Sequence, residues 1–281
     1  MLSAAPLPPR RHVARAQSGA SDAAAPAAPP PPEPPAAAPA AVADPRLAAL
    51  GKIFVAGATG GTGACVVRAL RARGGDVRAL ARDAGAAVPK LPQVGEGLEI
   101  VEGDVMDYPC LAAAMQGCGA AVIATGARDP RDPLGPLNVD YNGTLNLVEA
   151  AKRAGVGRVV LVSSIGADDL LNPLNLFWGV LLWKKQAELA LARSGLTFTV
   201  VRPGGLKSAL RAGEASAGNV IMGRPGFFGF PPKRSGSILR SQVADVCVEA
   251  LVCGAAADKV VEVVAEAGAP ATPLEELFAA V

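Results

Sequence analysis

The chain has 281 residues, a formal net charge of +2 and 19% charged side chains. That size fits one large domain, and the balance lacks the basic bias of a nucleic-acid binder. Five cysteines, an odd number with no C-x-x-C pair, argue against a disulfide framework or a cysteine-held zinc and for a reducing compartment.

Residues 1–46 hold 12 of the 25 prolines and differ from all that follows. The first twenty carry Arg10, Arg11 and Arg15, Ser3 and Ser18, and no acid, the composition of an organellar transit peptide. The Pro/Ala run behind them favours polyproline II with nothing to pack, a disordered spacer. The only histidine, His12, lies in this tail, so histidine acid–base chemistry and metal binding are not expected in the folded domain, placed at 47–281.

From Lys52 apolar runs alternate with amphipathic ones. KIFVAG (52–57) reads as a strand and GTGACVVRALRARG (61–74) as a helix ending on glycine. DVRALA (76–81) and LEIVEG (98–103) follow as strands, then a helix near 108–116 and the strand AAVIATG (120–126). Next come a long helix at 138–155, the strand GRVVLVSS (157–164), a helix over 174–194 and the strand LTFTVVRP (196–203). The Gly-, Pro- and Arg/Lys-rich stretch 204–240 has no clear period and reads as a small substrate-side insertion. Ser241 is expected to cap a helix over 242–253, and KVVEVVAE (259–266) is a seventh strand. TPLEELFAAV offers Thr272 as cap, Pro273 at the first helical position and Glu275 to close a capping box. Alternation of this kind predicts an α/β fold: a parallel sheet of about seven strands, doubly wound with helices on both faces. The longest apolar stretch, LLNPLNLFWGVLL (170–182), is too short and too interrupted to span a membrane.

GATGGTG (57–63) follows the first strand and opens the first long helix. Its glycines permit a tight turn and let backbone approach a pyrophosphate at the helix N-terminus. Gly57, Gly60 and Gly63, with Gly61 and Thr62 between them, are therefore expected to hold a dinucleotide. At the end of the second strand, Arg82 offers a planar fork of donors to a ribose 2′-phosphate, which favours NADP. Asp83 beside it, and the lack of a basic residue in the loop, keep NAD as the less favoured alternative. Asp104 is placed to bond an adenine amino group with Val105 against the ring; the competing reading is an Asx turn. Ala124, Thr125 and Gly126 end the fourth strand with side chains small enough for a cofactor to pass.

The motifs VAGATGGTG, GDVMD, VDYNGTLNLVEAAK, RVVLVSS, RSGLTFTVVRPGGLKS and SQVADVCVEAL stand in the order seen in atypical short-chain dehydrogenase/reductases. The chain resembles their NmrA-like, NAD(P)-binding branch over about residues 51–281, and within it a chloroplast group with plastoglobule-associated members. The resemblance implies a Rossmann fold, NADP and a plastid address. It places the family's cofactor loop on Gly57, Thr59, Gly60 and Gly63, its 2′-phosphate arginine on Arg82 and its adenine aspartate on Asp104. Its catalytic serine falls on Ser163 or Ser164, with Ser164 preferred, and its helix lysine on Lys184. Pro203 and Gly204 would lie against the nicotinamide. The family's tyrosine position, four residues before Lys184, is Val180, and Tyr108 and Tyr141 both lie off this helix.

A hydride acceptor that needs little proton help, such as a quinone or flavin, suits a site without that acid. Asp168, Asp169 and Tyr141 are the substitute donors to consider. One of Trp178 and Trp183 is expected in the core, the other at the pocket or a partner surface. The insertion segment 223–236, with Phe227, Phe228, Phe230, Arg224, Lys233 and Arg234, is read as a cover for an apolar substrate, a contact for an anionic membrane or plastoglobule surface, or a solvated loop capping the core. The alternative function is a non-catalytic NADP sensor or assembly protein. The expected partners are a small molecule and no nucleic acid, with a monomer or homodimer as the assembly.

Overall fold

The computed structural model describes residues 43–92, 95–210, 216–229 and 235–281. The expectations for residues 1–42 lie outside them, as do those for Phe230, Lys233 and Arg234. The chain enters through a short helix, α1 (Pro45–Ala49), capped by the Asp44 carboxylate and anchored by the fully buried Leu47.

Six strands then run parallel: β1 (Lys52–Ala56), β2 (Asp76–Ala81), β3 (Leu98–Glu102), β4 (Cys118–Ile123), β5 (Arg158–Val162) and β6 (Phe198–Pro203). Their spatial order is 3-2-1-4-5-6, so the chain reverses its direction of travel across the sheet between β1 and β4. The crevice beyond the carboxyl ends of those two strands is where open α/β sheets take ligands. The strands are apolar on both faces because helices cover both. α2 (Gly61–Ala72) and α7 (Arg240–Val252) pack on one face, around Val66, Leu70, Val246 and Leu251. The other face is covered by α4 (Tyr108–Ala114), α5 (Gly143–Ala154) and α6 (Val180–Ala192), around Phe54, Leu111, Leu147 and Leu191. The four-residue α3 (Ala84–Ala87) is capped by Asp83, and α8 (Leu274–Ala280) closes the chain.

Among the described residues the sheet has ten strands rather than about seven. The stretch 204–240 contributes β7 (Gly205–Lys207), β8 (Asn219–Gly223) and β9 (Ser237–Leu239). β8 and β9 pair antiparallel with β10 (Lys259–Glu266), itself parallel to β6, and β7 pairs with β9. Pieces of three to five residues are too short to show a period of two; the edge of β10 supplies their register.

Several expected ends move. The helix expected over 138–155 begins as a π-helical turn, Pro136–Asn142, before α5. The helix expected from 174 begins only at Val180, because Trp178 (φ 57°) and Gly179 (φ 71°) take left-handed backbone and end a short 3₁₀ turn, Pro173–Leu176. Trp178 is therefore off the helix, and neither tryptophan is core. Trp183 lies half-buried against Tyr141, ring centroids 5.7 Å apart, and Trp178 is exposed with Nε1 donating to the Pro130 carbonyl. α7 starts one residue before Ser241; its cap is Leu239, whose amide donates to the Gln242 side chain. α8 starts after Pro273, with no side-chain cap from Thr272.

Candidate functional site

β1 ends at Ala56, and the next residue turns with φ 75° at Gly57, a conformation only glycine adopts freely. A Cβ on Gly57 would stand 2.5 Å from the Ala124 carbonyl oxygen, and one on Gly63 would overlap the Gly57 carbonyl. Those two glycines let the β1 turn, the β4 end and the first turn of α2 close on one another. α2 is capped by Gly60, which has no side chain to offer, and its first turn carries no acid. The exposed amides and the positive end of the helix dipole thus face outward with no protein anion upon them, the arrangement that takes a phosphate.

The turn opens into a cleft of about 640 Å³ beyond β1 and β4. Gly57, Thr59, Gly60, Gly61 and Thr62 line it at one end, with Leu80, Arg82, Asp104 and Val105 alongside. Ala124, Thr125 and Gly126 line its middle, and Ser163, Ser164, Lys184, Pro203 and Gly204 its far end. Of the expected cofactor residues only Gly63 is not in the wall: it acts behind the loop, by its lack of a side chain.

The side chains sort the alternatives left by the sequence. Arg82 is exposed in the cleft, whereas the Asp83 carboxylate accepts from the Ala86 amide at 2.8 Å and caps α3. Asp104 does form the Asx turn, accepting from the Met106 amide at 2.8 Å through Oδ1, while still lining the cleft. Ser163 is buried and donates to Glu188 at 2.5 Å; Ser164 bonds only the neighbouring Ile165 carbonyl, at 3.1 Å. A Cβ on Gly204 would overlap the Gly236 carbonyl, so this glycine also admits the insertion to the sheet edge.

Lys184 has a partner that the sequence did not reveal. Its Nζ donates to Asp140 Oδ1 at 2.6 Å, and Asp140 Oδ2 accepts from the Ala127 amide at 3.1 Å. The Asp140 side chain is 1% exposed and sits in the π-helical turn, so one buried carboxylate fixes both the lysine and the β4 exit loop. Val180 is not in the cleft wall.

The substitute proton donors are elsewhere. Asp168 is paired with Arg202 and with Lys185, and these hold its carboxyl down to about 2, ionised at any ordinary pH. The Asp169 carboxylate accepts from the Leu171 amide, and Tyr141 packs on Trp183; none of the three lines the cleft. Arg202, 1% exposed, is the centre of a hub. It bonds Glu188 (2.6 Å) and Asp168 and lies 3.5 Å from Glu262. Burial alone would lower its guanidinium, but Glu188 and Asp168 outweigh it and raise it. An arginine inside the apolar run TFTVVRP was the available signal.

The insertion reaches the cleft differently from expectation. Phe227 is exposed and Phe228 buried, edge to face at 4.8 Å, and neither lines the cleft; Leu206 and Arg240 do. Arg128 also lines it, from the β4 exit loop. Among the described residues there is no cluster of His, Cys, Asp or Glu fit for a metal, and no helix is long and apolar enough to cross a membrane.

A parallel 3-2-1-4-5-6 sheet with an uncapped glycine turn at its point of reversal defines a dinucleotide-binding protein. Residues 57–253 match the NAD(P)H-binding family, and the chain belongs to that family. It is 42% identical to an uncharacterized chloroplastic protein of Arabidopsis thaliana, over 82% of each chain. It is 37% identical to Protein TIC 62, chloroplastic, of Pisum sativum, over 80% of this chain and 45% of that one. Sanguinarine reductase of Eschscholzia californica is 31% identical over 71% of this chain and 83% of its own. Among solved structures, a putative NAD-dependent epimerase/dehydratase from Bacillus halodurans superposes with a TM-score of 0.68 at 25% identity, over 82% of this chain and all of that one. The oxidoreductase-type fold and the NAD(P)H-binding family are thereby established.

Proposed function

We propose that the protein is an NADP-dependent oxidoreductase of the chloroplast, transferring hydride between NADPH and a small apolar acceptor such as a quinone or flavin. The observation that carries the cofactor choice is the division of labour at the end of β2. Arg82 stands in the cleft, and Asp83, which would favour a ribose hydroxyl, is engaged as a helix cap. When bound, NADPH supplies the hydride. The glycine-turn amides and the end of α2 hold its diphosphate, Arg82 its 2′-phosphate, and Asp104 with Val105 its adenine. Lys184, steadied by Asp140, bonds the nicotinamide ribose, and Ser164 orients the acceptor oxygen. Pro203 and Gly204 back the nicotinamide.

The far end of the cleft supports this acceptor class. Its residues there, Ser163, Ser164, Lys184, Pro203 and Gly204, include neither a carboxylic acid nor a phenol, which suits an acceptor protonated by water afterwards. The reductase name of the Eschscholzia relative supports redox chemistry. Turnover of NADPH against a panel of quinones, flavins and simple ketones tests the reading: oxidation with the first two and little with ketones is expected. Tight binding of NADPH with no oxidation by any acceptor overturns the catalytic part.

The same want of a positioned acid favours a second reading, an NADP-sensing binding or assembly protein whose partner affinity differs between NADP⁺ and NADPH. Identical pull-downs with the two cofactors would remove it. The names of the chloroplastic relatives support a chloroplast location; we assign the segment ahead of α1 as the chain's transit peptide and spacer, and the stroma or plastoglobule surface as its place. An import assay that leaves the full chain unprocessed outside the organelle would refute that assignment.

A further inference from the structure

We propose that Arg240 is a side-chain ligand of the cofactor diphosphate, reaching the glycine turn from the insertion side. The proposal rests on the dinucleotide reading above and adds to it a residue that no motif of the turn contains. Arg240 is the first residue of α7, which packs against α2. Its side chain lies over Gly61, the first residue of α2: a Cβ there would stand 2.7 Å from Arg240 Nε and 2.9 Å from Cδ. Gly61 thus lacks a side chain in the space that Arg240 occupies.

Electrostatics make this an odd place for a cation. Helix N-termini carry partial positive charge, and Arg240 stands at two of them, its own and that of α2. Neither helix has an acid in its first turn. A second guanidinium approaches from the β4 exit loop, with Arg128 Nη2 3.2 Å from a Cβ placed on Gly60. Among the described residues neither arginine forms an ion pair. The nearby acids of the wall are otherwise engaged: Asp129 by Arg131, Asp132 by the Leu134 amide. Two guanidiniums and an uncapped helix end around two consecutive glycines leave an excess of positive charge that a diphosphate neutralises.

The arginine is also held in place. Nη1 donates to Ser208 Oγ, just past β7, at 2.8 Å and more weakly to the Leu206 carbonyl within β7 at 3.5 Å. Nε, the atom over Gly61, and Nη2 remain as donors for the ligand.

The test is titration of NADPH and NADH into the full chain and into Arg240→Gln, Arg240→Lys and Ser208→Ala, with thermal melting of each protein alone. Wild-type binding comes first; its absence would defeat the dinucleotide reading itself rather than this addition to it. Given wild-type binding, Arg240→Gln is expected to weaken both cofactors alike, by about tenfold to a hundredfold, the range of one charge-assisted hydrogen bond. Arg240→Lys should recover part of that, and inorganic pyrophosphate should compete less well against Arg240→Gln than against wild type. Unchanged affinity means that Arg240 only braces β7, and a loss confined to NADPH moves it to the 2′-phosphate; either result overturns the proposal. Should Arg240→Gln fail to fold, Ser208→Ala keeps the question open to test. It frees Nη1 without touching the turn and is expected to weaken both cofactors about threefold; wild-type affinity in that variant counts against the proposal.

Discussion

The two ends of the cleft are built from different materials. At the glycine turn the wall is mostly backbone: amides, carbonyls and the missing side chains of Gly57, Gly60 and Gly61, with Gly63 behind them and only Arg128 and Arg240 reaching over. At the α6 end it is side chains held by charge, with Lys184 tied to Asp140 and Ser163 to a glutamate that Arg202 grips. A backbone site has strict sequence demands over a few consecutive residues. A side-chain site draws its parts from segments far apart in the chain, and each part can look ordinary by itself.

Breaking the backbone end should have the largest effect. Gly57→Ala forces left-handed backbone on alanine and drives its Cβ into the Ala124 carbonyl. A loss of about 3 kcal/mol or more is expected, because both the strain and the overlap fall on packed backbone. NADPH affinity should fall beyond measurement, read by melting and by fluorescence titration. A Gly57→Ala protein that melts and binds like wild type would show that the turn is not rigid.

At the other end, Asp140→Ala leaves the Lys184 ammonium without its carboxylate and the Ala127 amide without its acceptor. Removing one partner of so buried a pair is expected to cost about 3 kcal/mol, seen in urea unfolding, with a further loss of NADPH affinity. The comparison sharpens if Lys184→Met restores stability to Asp140→Ala but not cofactor binding, since the apolar pair no longer strands a charge.

Arg82→Ala is expected to weaken NADPH by about tenfold to a hundredfold while leaving NADH nearly unchanged, because only one of them carries the 2′-phosphate. Equal losses would remove Arg82 from phosphate reading.

The smallest effect concerns Asp168. Its folded carboxyl is held at about 2, below the ordinary 3.8, by Arg202 first and Lys185 next. A depressed carboxyl stabilises the fold fully above about pH 4, and that contribution drains away as the pH falls toward 2. Asp168→Asn should therefore flatten the stability profile between about pH 4 and 2. Asp168 is 44% exposed, so solvent screening limits the change to about 1 kcal/mol at most. An unchanged acid limb would mean that the ion pairs on Asp168 contribute nothing.

The same contrast explains what the sequence made legible. β1, the turn and α2 are readable because strand, glycines and helix are contiguous, and the parallel core is readable because its inner strands are apolar on both faces. Asp140 could not be matched to Lys184, since nothing local marks a carboxylate that will be buried; only the π-helical turn carries it inward. The three acids around Arg202 come from a loop, α6 and β10, and no spacing rule links them. β7, β8 and β9 were invisible because their pairing comes from β10 and not from their own pattern. Trp178 misled for a related reason: the apolar run at 174–183 looks helical, and its left-handed pair Trp178–Gly179 breaks it.

The hub at Arg202 also has a bearing on how the chain is made. Its guanidinium lies on β6, yet Glu262 belongs to β10, the last strand in the chain, and the same carboxylate accepts from the Gly226 and Phe228 amides of the insertion at 2.9 Å each. During vectorial synthesis β6 emerges long before this acid. A nascent chain ending short of β10 therefore has Arg202 paired with Glu188 and Asp168 alone and leaves the Gly226 and Phe228 amides without their carboxylate, where the finished protein has a closed network. Closure of that network at the sheet edge thus waits for the last strand.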